Sequence, residues 1–176
     1  MKIIFVIAAC LAAQLLHAQT LKADASKSKV SFSIKNFGLK TDGSLTGLQG
    51  NLEMDPVNAQ PKSISLSVDA NTINTDNKMR DNHLRKADYF DVAKYPRLTF
   101  SATSFSKTAN GYLVIGTLTI KGTTKNIEVN CSATKDGGGM LFKGSFPINR
   151  RDFKVGGGSI SLSDDLTVNF QIQFIQ

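Results

Sequence analysis

From Lys29 onward, apolar and polar residues alternate with a period of two. Val30, Phe32 and Ile34 fall on one side and Ser31, Ser33 and Lys35 on the other, the pattern of a half-buried antiparallel strand. Leu45, Leu48, Leu52 and Met54 continue it with Gly47 and Gly50 between them, and glycines inside a strand pattern predict bulges or sharp bends. Asp55-Pro56 and Pro61 frame a turn, after which Ile64, Leu66 and Val68 alternate with serines. Leu98, Phe100 and Ala102 begin another strand. A hairpin is predicted at Asn110-Gly111, then a strand from Tyr112 to Ile120 that is apolar on much of both faces. Lys121-Gly122 turns it into Asn126 to Ala133. Met140, Phe142, Gly144, Phe146 and Ile148 line one face of the next strand, and Leu166, Val168, Phe170, Ile172 and Phe174 alternate to the end. About eight to ten short strands joined by tight turns, without a βαβ rhythm, predict an all-β sandwich or a closed up-and-down barrel. Closure is favoured because it removes edge strands.

One stretch breaks the alternation. Between Arg80 and Phe100, charges, aromatics, a histidine and a proline crowd together. Thr75 and Asp76 are the expected caps of a short helix carrying Met79, His83 and Leu84 on one side. Asp88 is the expected cap of a second turn carrying Tyr89 and Phe90. Pro96 holds Tyr95 extended, so the strand resumes at Leu98. A helical insertion with paired aromatics reads as a lid or rim on the β-structure.

At 176 residues, 41% of them hydrophobic, the chain can build one domain with a sizeable core. Its start reads differently. Lys2, the apolar run Ile3 to Leu16 and the small Ala18 form the pattern of a secretory signal peptide over residues 1–18, cleaved before Gln19, which predicts a periplasmic or secreted domain of residues 19–176. The run is too short for a stable membrane anchor. Ile7-Ala8-Ala9-Cys10 only loosely mimics a lipoprotein cleavage box, since it leaves little apolar sequence ahead of Cys10. Cleavage removes Cys10 and His17, leaving Cys131 and His83 as the lone thiol and imidazole, so packing rather than disulfides must hold the fold. Cys131 lies in the run Ile127, Val129, Cys131, Ala133 and reads as a small buried hydrophobe.

The net charge of +7 invites a nucleic-acid reading, but the lysines are spread along the chain among acids, with no concentrated patch or binding motif. A weak attraction to anionic membrane surfaces, and so peripheral membrane contact, is the more useful consequence. Candidate chemistry is confined to two polar clusters. Arg80, Asp81, His83, Asp88 and Asp91 supply an acid, a base and a guanidinium, and an Asp-His pair is one way to orient a general base. The simpler reading is structural, with Asp81 and Asp91 pairing with Arg80, Arg85 or Lys94. Asn149-Arg150-Arg151-Asp152 reads as a solvated turn, or as a basic rim that meets a headgroup. No nucleophile elbow and no metal-ligand spacing occur in the sequence, so no catalytic residue, metal or cofactor is expected. Gly156-Gly157-Gly158 reads as a flexible loop rather than a phosphate cradle.

RDNHLRKADYFDVAKYPRLTF, from Arg80 to Phe100, followed by GTLTIKGTTK from Gly116 to Lys125, resembles the signature of the YceI-like family of exported lipid-binding proteins. Val30-Ser31-Phe32 to Gly38, Ile148 to Phe153 and Leu162-Ser163-Asp164-Asp165 match in the same order, so the likeness runs from about Lys22 to the end. It implies an all-β, eight-stranded antiparallel lipocalin-like barrel with a short helical insertion. It also implies a tunnel for a polyisoprenoid or similar fatty amphiphile, and pairing as a homodimer. The chain departs from the family pattern where Lys27 and Lys35-Asn36 replace histidines and Tyr89 replaces a phenylalanine.

Taken with the alternation, this gives an expected tunnel lining of Phe32, Ile34, Leu66, Val68, Leu84, Tyr89, Phe90, Phe100, Leu118, Phe142, Phe146, Val168 and Phe170. Arg80, His83 and Arg150 are the expected polar mouth. The leading expectation is a non-enzymatic carrier of such a lipid. The alternatives are a lipid-modifying enzyme using His83 with Asp81 or Asp88, and a ligand-free structural protein whose barrel is filled by its own side chains.

Overall fold

The structure, a computed structural model, describes residues 19–176; the segment read as a signal peptide lies outside the described residues. Nine strands form in chain order: β1 (Gln19–Ala23), β2 (Lys29–Asn36), β3 (Leu39–Met54), β4 (Pro61–Asn74), β5 (Arg97–Thr108), β6 (Gly111–Ile120), β7 (Thr123–Asp136), β8 (Gly139–Asn149) and β9 (Leu162–Ile175). A single helix, α1 (Lys78–Leu84), interrupts the run between β4 and β5, and a 3-10 turn at Arg150–Phe153 follows β8. All pairings are antiparallel, and the β3–β4 pairing closes the sheet on itself.

The barrel has eight strand places because β1 and β2 share one. β2 pairs with the first half of β3 and with β9, and β1 pairs with the far end of β3 and with the last residues of β9. The alternation from Lys29 did not reveal β1. Its five residues carry one buried side chain, Leu21, and the break at Asp24–Ser28 is built from polar turn chemistry, with the Asp24 carboxylate accepting from Ser26 N and Oγ.

Turn chemistry fixes the register. Lys121 and Gly122, and Gly137 and Gly138, occupy the left-handed region as two-residue hairpins require. The β5–β6 turn sits one residue earlier than the Asn-Gly signal suggested: Thr108 pairs with Gly111, leaving Ala109 and Asn110 at the tip. β4 also runs further than expected. Its tail, rich in turn-forming residues, stays in the sheet because Thr72 accepts from Thr46 N and donates to Asp69 O, and because Ala70 and Ile73 are fully buried.

At one end Leu21, Leu52, Met54, Met140, Phe142 and Phe174 fill the barrel, with Phe142 and Phe174 edge to face at 5.8 Å. A second cluster of Leu118, Ile120, Phe153 and Val155 sits under the helical insertion, against Tyr89 and Phe90. Between the two the lumen is open.

Closure strains one strand most, since β3 must bend to serve partners on both sides. Its pairing with β4 slips three times, between Ser44 and Thr46, between Thr46 and Gln49, where Gly47 lies, and between Glu53 and Met54. Gly50 has φ +152°, and a Cβ there would overlap the Ser65 carbonyl and stand 2.9 Å from Leu66 Cα. Gly50→Ala is expected to cost about 1–3 kcal/mol, read as a lower urea midpoint; an unchanged midpoint would place the bend elsewhere.

Candidate functional site

The lumen is a cavity of about 620 Å³, inside the range of roughly 300–1,000 Å³ usual for small-molecule sites. The strand alternation builds it: Phe32 faces Val168 and Phe146 across β9 and β8, and Leu66 faces Phe100 and Leu118 across β5 and β6. All thirteen residues expected to line a tunnel stand on its wall. Leu45, Leu48, Ile64, Phe105, Val114, Val129, Cys131 and Ile172 extend the wall inward; the sequence pattern had placed most of these in a core without separating core from wall.

The lumen stays open because phenylalanine rings lie over glycines. Phe32 pairs directly across from Gly43, and a Cβ on Gly43 would overlap the ring. A Cβ on Gly144 would stand 2.8 Å from Phe170 Cζ, and one on Gly116 would stand 2.9 Å from Phe100 Cε2. Where the wall lacks a side chain, a neighbouring ring folds flat against backbone instead of filling the centre.

Cys131 belongs to this wall. Burial pushes its thiol above the ordinary cysteine range, and Sγ lies 3.6 Å from Tyr112 O. A neutral thiol in an apolar wall is a packing group rather than a nucleophile.

Polar residues gather at the open end, where Asn36, Thr75, Asn77, Arg80, His83, Ser159 and Ser161 border the cavity. The helix there is capped one residue later than expected. Asn77, with extended φ and ψ, accepts from Arg80 N at 3.0 Å, while Thr75 is drawn inward to donate its Oγ1 proton to Asp81 Oδ1 at 2.6 Å. Asp81 also accepts from Thr75 N at 2.9 Å, so its buried carboxylate is satisfied by Thr75 and not by an arginine. The expected pairing of Asp81 and Asp91 with Arg80, Arg85 or Lys94 does not form. Among the described residues the ion pairs are Lys40–Asp42 and Arg150–Asp164. His83 is exposed and packs edge to face on Tyr89 at 5.0 Å, with no hydrogen bond to Asp81 or Asp88 among the described residues. The acid-base pair of the enzyme reading is therefore not assembled.

Arg150 borders the cavity but is neither a solvated turn residue nor a free headgroup contact. It is 4% exposed. Its Nε donates to Ser163 O, Nη1 to Val155 O and Gly157 O, and Nη2 to Asp164 Oδ1 at 2.6 Å and more distantly to Leu162 O. Every N–H of the fork is spent on the chain itself. The glycine loop is accordingly pinned rather than loose, with Gly156 N also donating to Asp88 O at 2.9 Å. Arg85 and Arg97 play the same part on the other side. Arg85 donates to Asn71 O and Ile73 O, and Arg97 to Ser67 and Gly47 O. Sequence spacing offered no signal for these clamps, because their acceptors are backbone carbonyls.

Arg150→Met leaves these acceptors without their donor and is expected to lower stability by about 3–5 kcal/mol, measured by chemical unfolding. Gly43→Ala is expected to keep the barrel, by circular dichroism, while turning the Phe32 ring into the lumen. Affinity for an apolar fluorescent probe should fall about tenfold, ~1.4 kcal/mol. Unaltered affinity would mean that the ring has another way to yield.

Comparison with known proteins fits this geometry. Residues 21–174 match the profile of a family described as "YceI-like domain". A UPF0312 protein of Yersinia enterocolitica serotype O:8 is 31% identical over 119 residues, covering 64% of this chain and 62% of that protein, so the match spans about three fifths of the relative's length. Among solved structures, Burkholderia cenocepacia BcnA superposes with a TM-score of 0.78 at 28% identity, covering 86% of this chain and 98% of that one. A polyisoprenoid binding domain from Saccharophagus degradans superposes with a TM-score of 0.72, covering 90% of this chain and 99% of that one; at 17% identity it speaks to the fold alone.

Proposed function

The chain belongs to the YceI-like domain family, and on that premise we propose that it is an exported carrier that holds a long-chain amphiphile, of polyisoprenoid or fatty type, in the barrel lumen. The observation that carries this reading is the open, phenylalanine-lined cavity with its polar residues collected at one end. A barrel built only for support would fill its centre, as this one does at the Leu52 and Phe174 end. Each methylene-sized group moved from water into such a wall gains about 0.8 kcal/mol, partly offset by ordering a flexible chain. A ligand that is apolar along its length and polar at one tip matches the wall and the mouth together. The polyisoprenoid binding of the Saccharophagus degradans domain belongs to that protein; here it supplies a ligand class to try first.

Export is supported by the amino-terminal pattern of a cation, an apolar run and a small residue. Exchange with a membrane is supported by the rim. Phe37, Leu39, Met79 and Ile160 are all highly exposed, and each lies beside residues that border the opening. Phe37 N donates to Ser161 O at 2.8 Å, joining the β2–β3 hairpin to the loop of Ile160. Cations stand next to them: Lys35 near Phe37, Lys78 beside Met79, and Arg151, whose Nη1 approaches Gly158. Apolar tips among cations suit the interface of an anionic bilayer.

Protein purified without detergent is expected to carry a discrete extra mass in native mass spectrometry that extracts as a prenyl or acyl lipid. A clean apo mass with no uptake of long-chain lipids on titration would sink the carrier reading. Phe37→Ser with Ile160→Ser is expected to slow lipid transfer between anionic vesicles severalfold. If the pair instead converts a dimer to a monomer and leaves transfer untouched, the rim meets a second copy rather than a bilayer.

A further inference from the structure

Two arginines border the cavity, and the fold uses up only one of them. Arg150 donates every N–H of its fork to the chain, whereas Arg85, which donates to Asn71 O, Asn82 Oδ1 and Ile73 O, and Arg97, which donates to Ser67 Oγ, Ser67 O and Gly47 O, are not among the cavity-lining residues. Arg80 differs. Its Nε donates to Thr75 Oγ1 at 2.7 Å and its Nη2 to Thr75 O at 2.6 Å, which occupies the side-on edge of the guanidinium. The other end of the fork, formed by Nη1 and the second N–H of Nη2, has no protein acceptor among the described residues, and no carboxylate lies within ion-pair distance of it.

Arg80 is half-buried and borders the cavity, with Leu84 and Phe90 on the same wall. Its position is fixed from behind. Thr75 accepts from two of its N–H groups and donates its own hydroxyl proton to Asp81 Oδ1, so the adjacent carboxylate is engaged by Thr75 and forms no ion pair with the guanidinium. A preorganised fork with its end free, at the edge of an apolar lumen, is shaped to take two oxygens of one anion.

Resting on the carrier reading and refining it, we propose that the bound amphiphile carries an anionic oxygen headgroup, carboxylate or phosphate, held end-on by Arg80. The apolar tail then runs inward past Phe90 and Phe100. Exposed His83, at the same rim, stands beside the headgroup on the solvent side. A neutral head of the same size gains the wall but not the charge-assisted pair.

The test compares heads on a constant tail. Delipidated protein is titrated with farnesyl phosphate against farnesol, and with palmitate against hexadecanol, at low and at high salt. The expected result is that an anion binds at least about tenfold tighter than its alcohol, that salt erodes this advantage, and that Arg80→Gln brings the ratio near one while Arg80→Lys keeps part of it. An advantage for phosphate alone, or for carboxylate alone, identifies the head. A wild-type ratio near one, or a ratio that Arg80→Gln leaves intact, overturns the proposal while the carrier reading stands. Should Arg80→Gln fail to fold, the wild-type salt dependence and Arg80→Lys decide. If neither anions nor alcohols bind, the carrier reading falls and this proposal with it.

Discussion

Closure of the sheet through β3 and β4 is the constraint on which the rest of the structure depends. An open sheet with one apolar face would have to bury that face against a second layer, and the described residues supply only one short α-helix. Closing the sheet turns the apolar face toward itself and pairs every edge. The cost falls on β3, which serves β1 and β2 on one side and β4 on the other, and which bends at glycines to do so. Once the ring is closed, whether the centre is core or cavity is decided by ring orientation. At the β1 end, Phe142 and Phe174, diagonal neighbours on the paired strands β8 and β9, pack edge to face and help fill it. Further along, Phe32, Phe100 and Phe170 lie against glycines and leave it empty.

The mouth is made rigid by arginines acting as carbonyl clamps. Loops at a barrel end leave backbone acceptors unpaired, and a guanidinium satisfies several at once without needing water. Arg150 does this for the segment between the 3-10 turn and β9, and Arg85 and Arg97 do it for the tail of β4 and the bulge of β3. Binding at such a mouth needs little reorganisation, because its polar groups are already fixed. The same logic separates two arginines that sequence placed together at the mouth: Arg150 is consumed by the fold, and Arg80 is only half consumed.

Much of this was legible in the chain. Period-two alternation marked the strands and their inward face correctly from Phe32 to Phe170, because a one-residue slip would have put serines and lysines into the lumen. Turn residues marked the hairpins, with an error of one position at Ala109–Asn110. What alternation could not supply was β1, too short to show a period, and the continuation of β4 through Asn71 and Thr72, where composition favours a turn and tertiary hydrogen bonds override it. Within the site, the wall was readable because hydrophobicity reports burial. The partners of Arg80, Asp81 and Arg150 were not, because charge suggests ion pairs whereas the fold offered a threonine and a row of carbonyls.

The shared strand place of β1 and β2 sets an order in time. Both need β9, the last of the described strands in chain order, as a lateral neighbour, so the pairing that seals the ring joins residues near 30 to residues near 170. Until the 14 residues of β9 are available, β2 and β8 each present a bare edge and the phenylalanine wall faces solvent. Assembly is therefore dominated by distant contacts and slow for its size. A chain whose apolar sheet face stays exposed until that distant pairing forms is open to wrong partners for as long as closure is delayed.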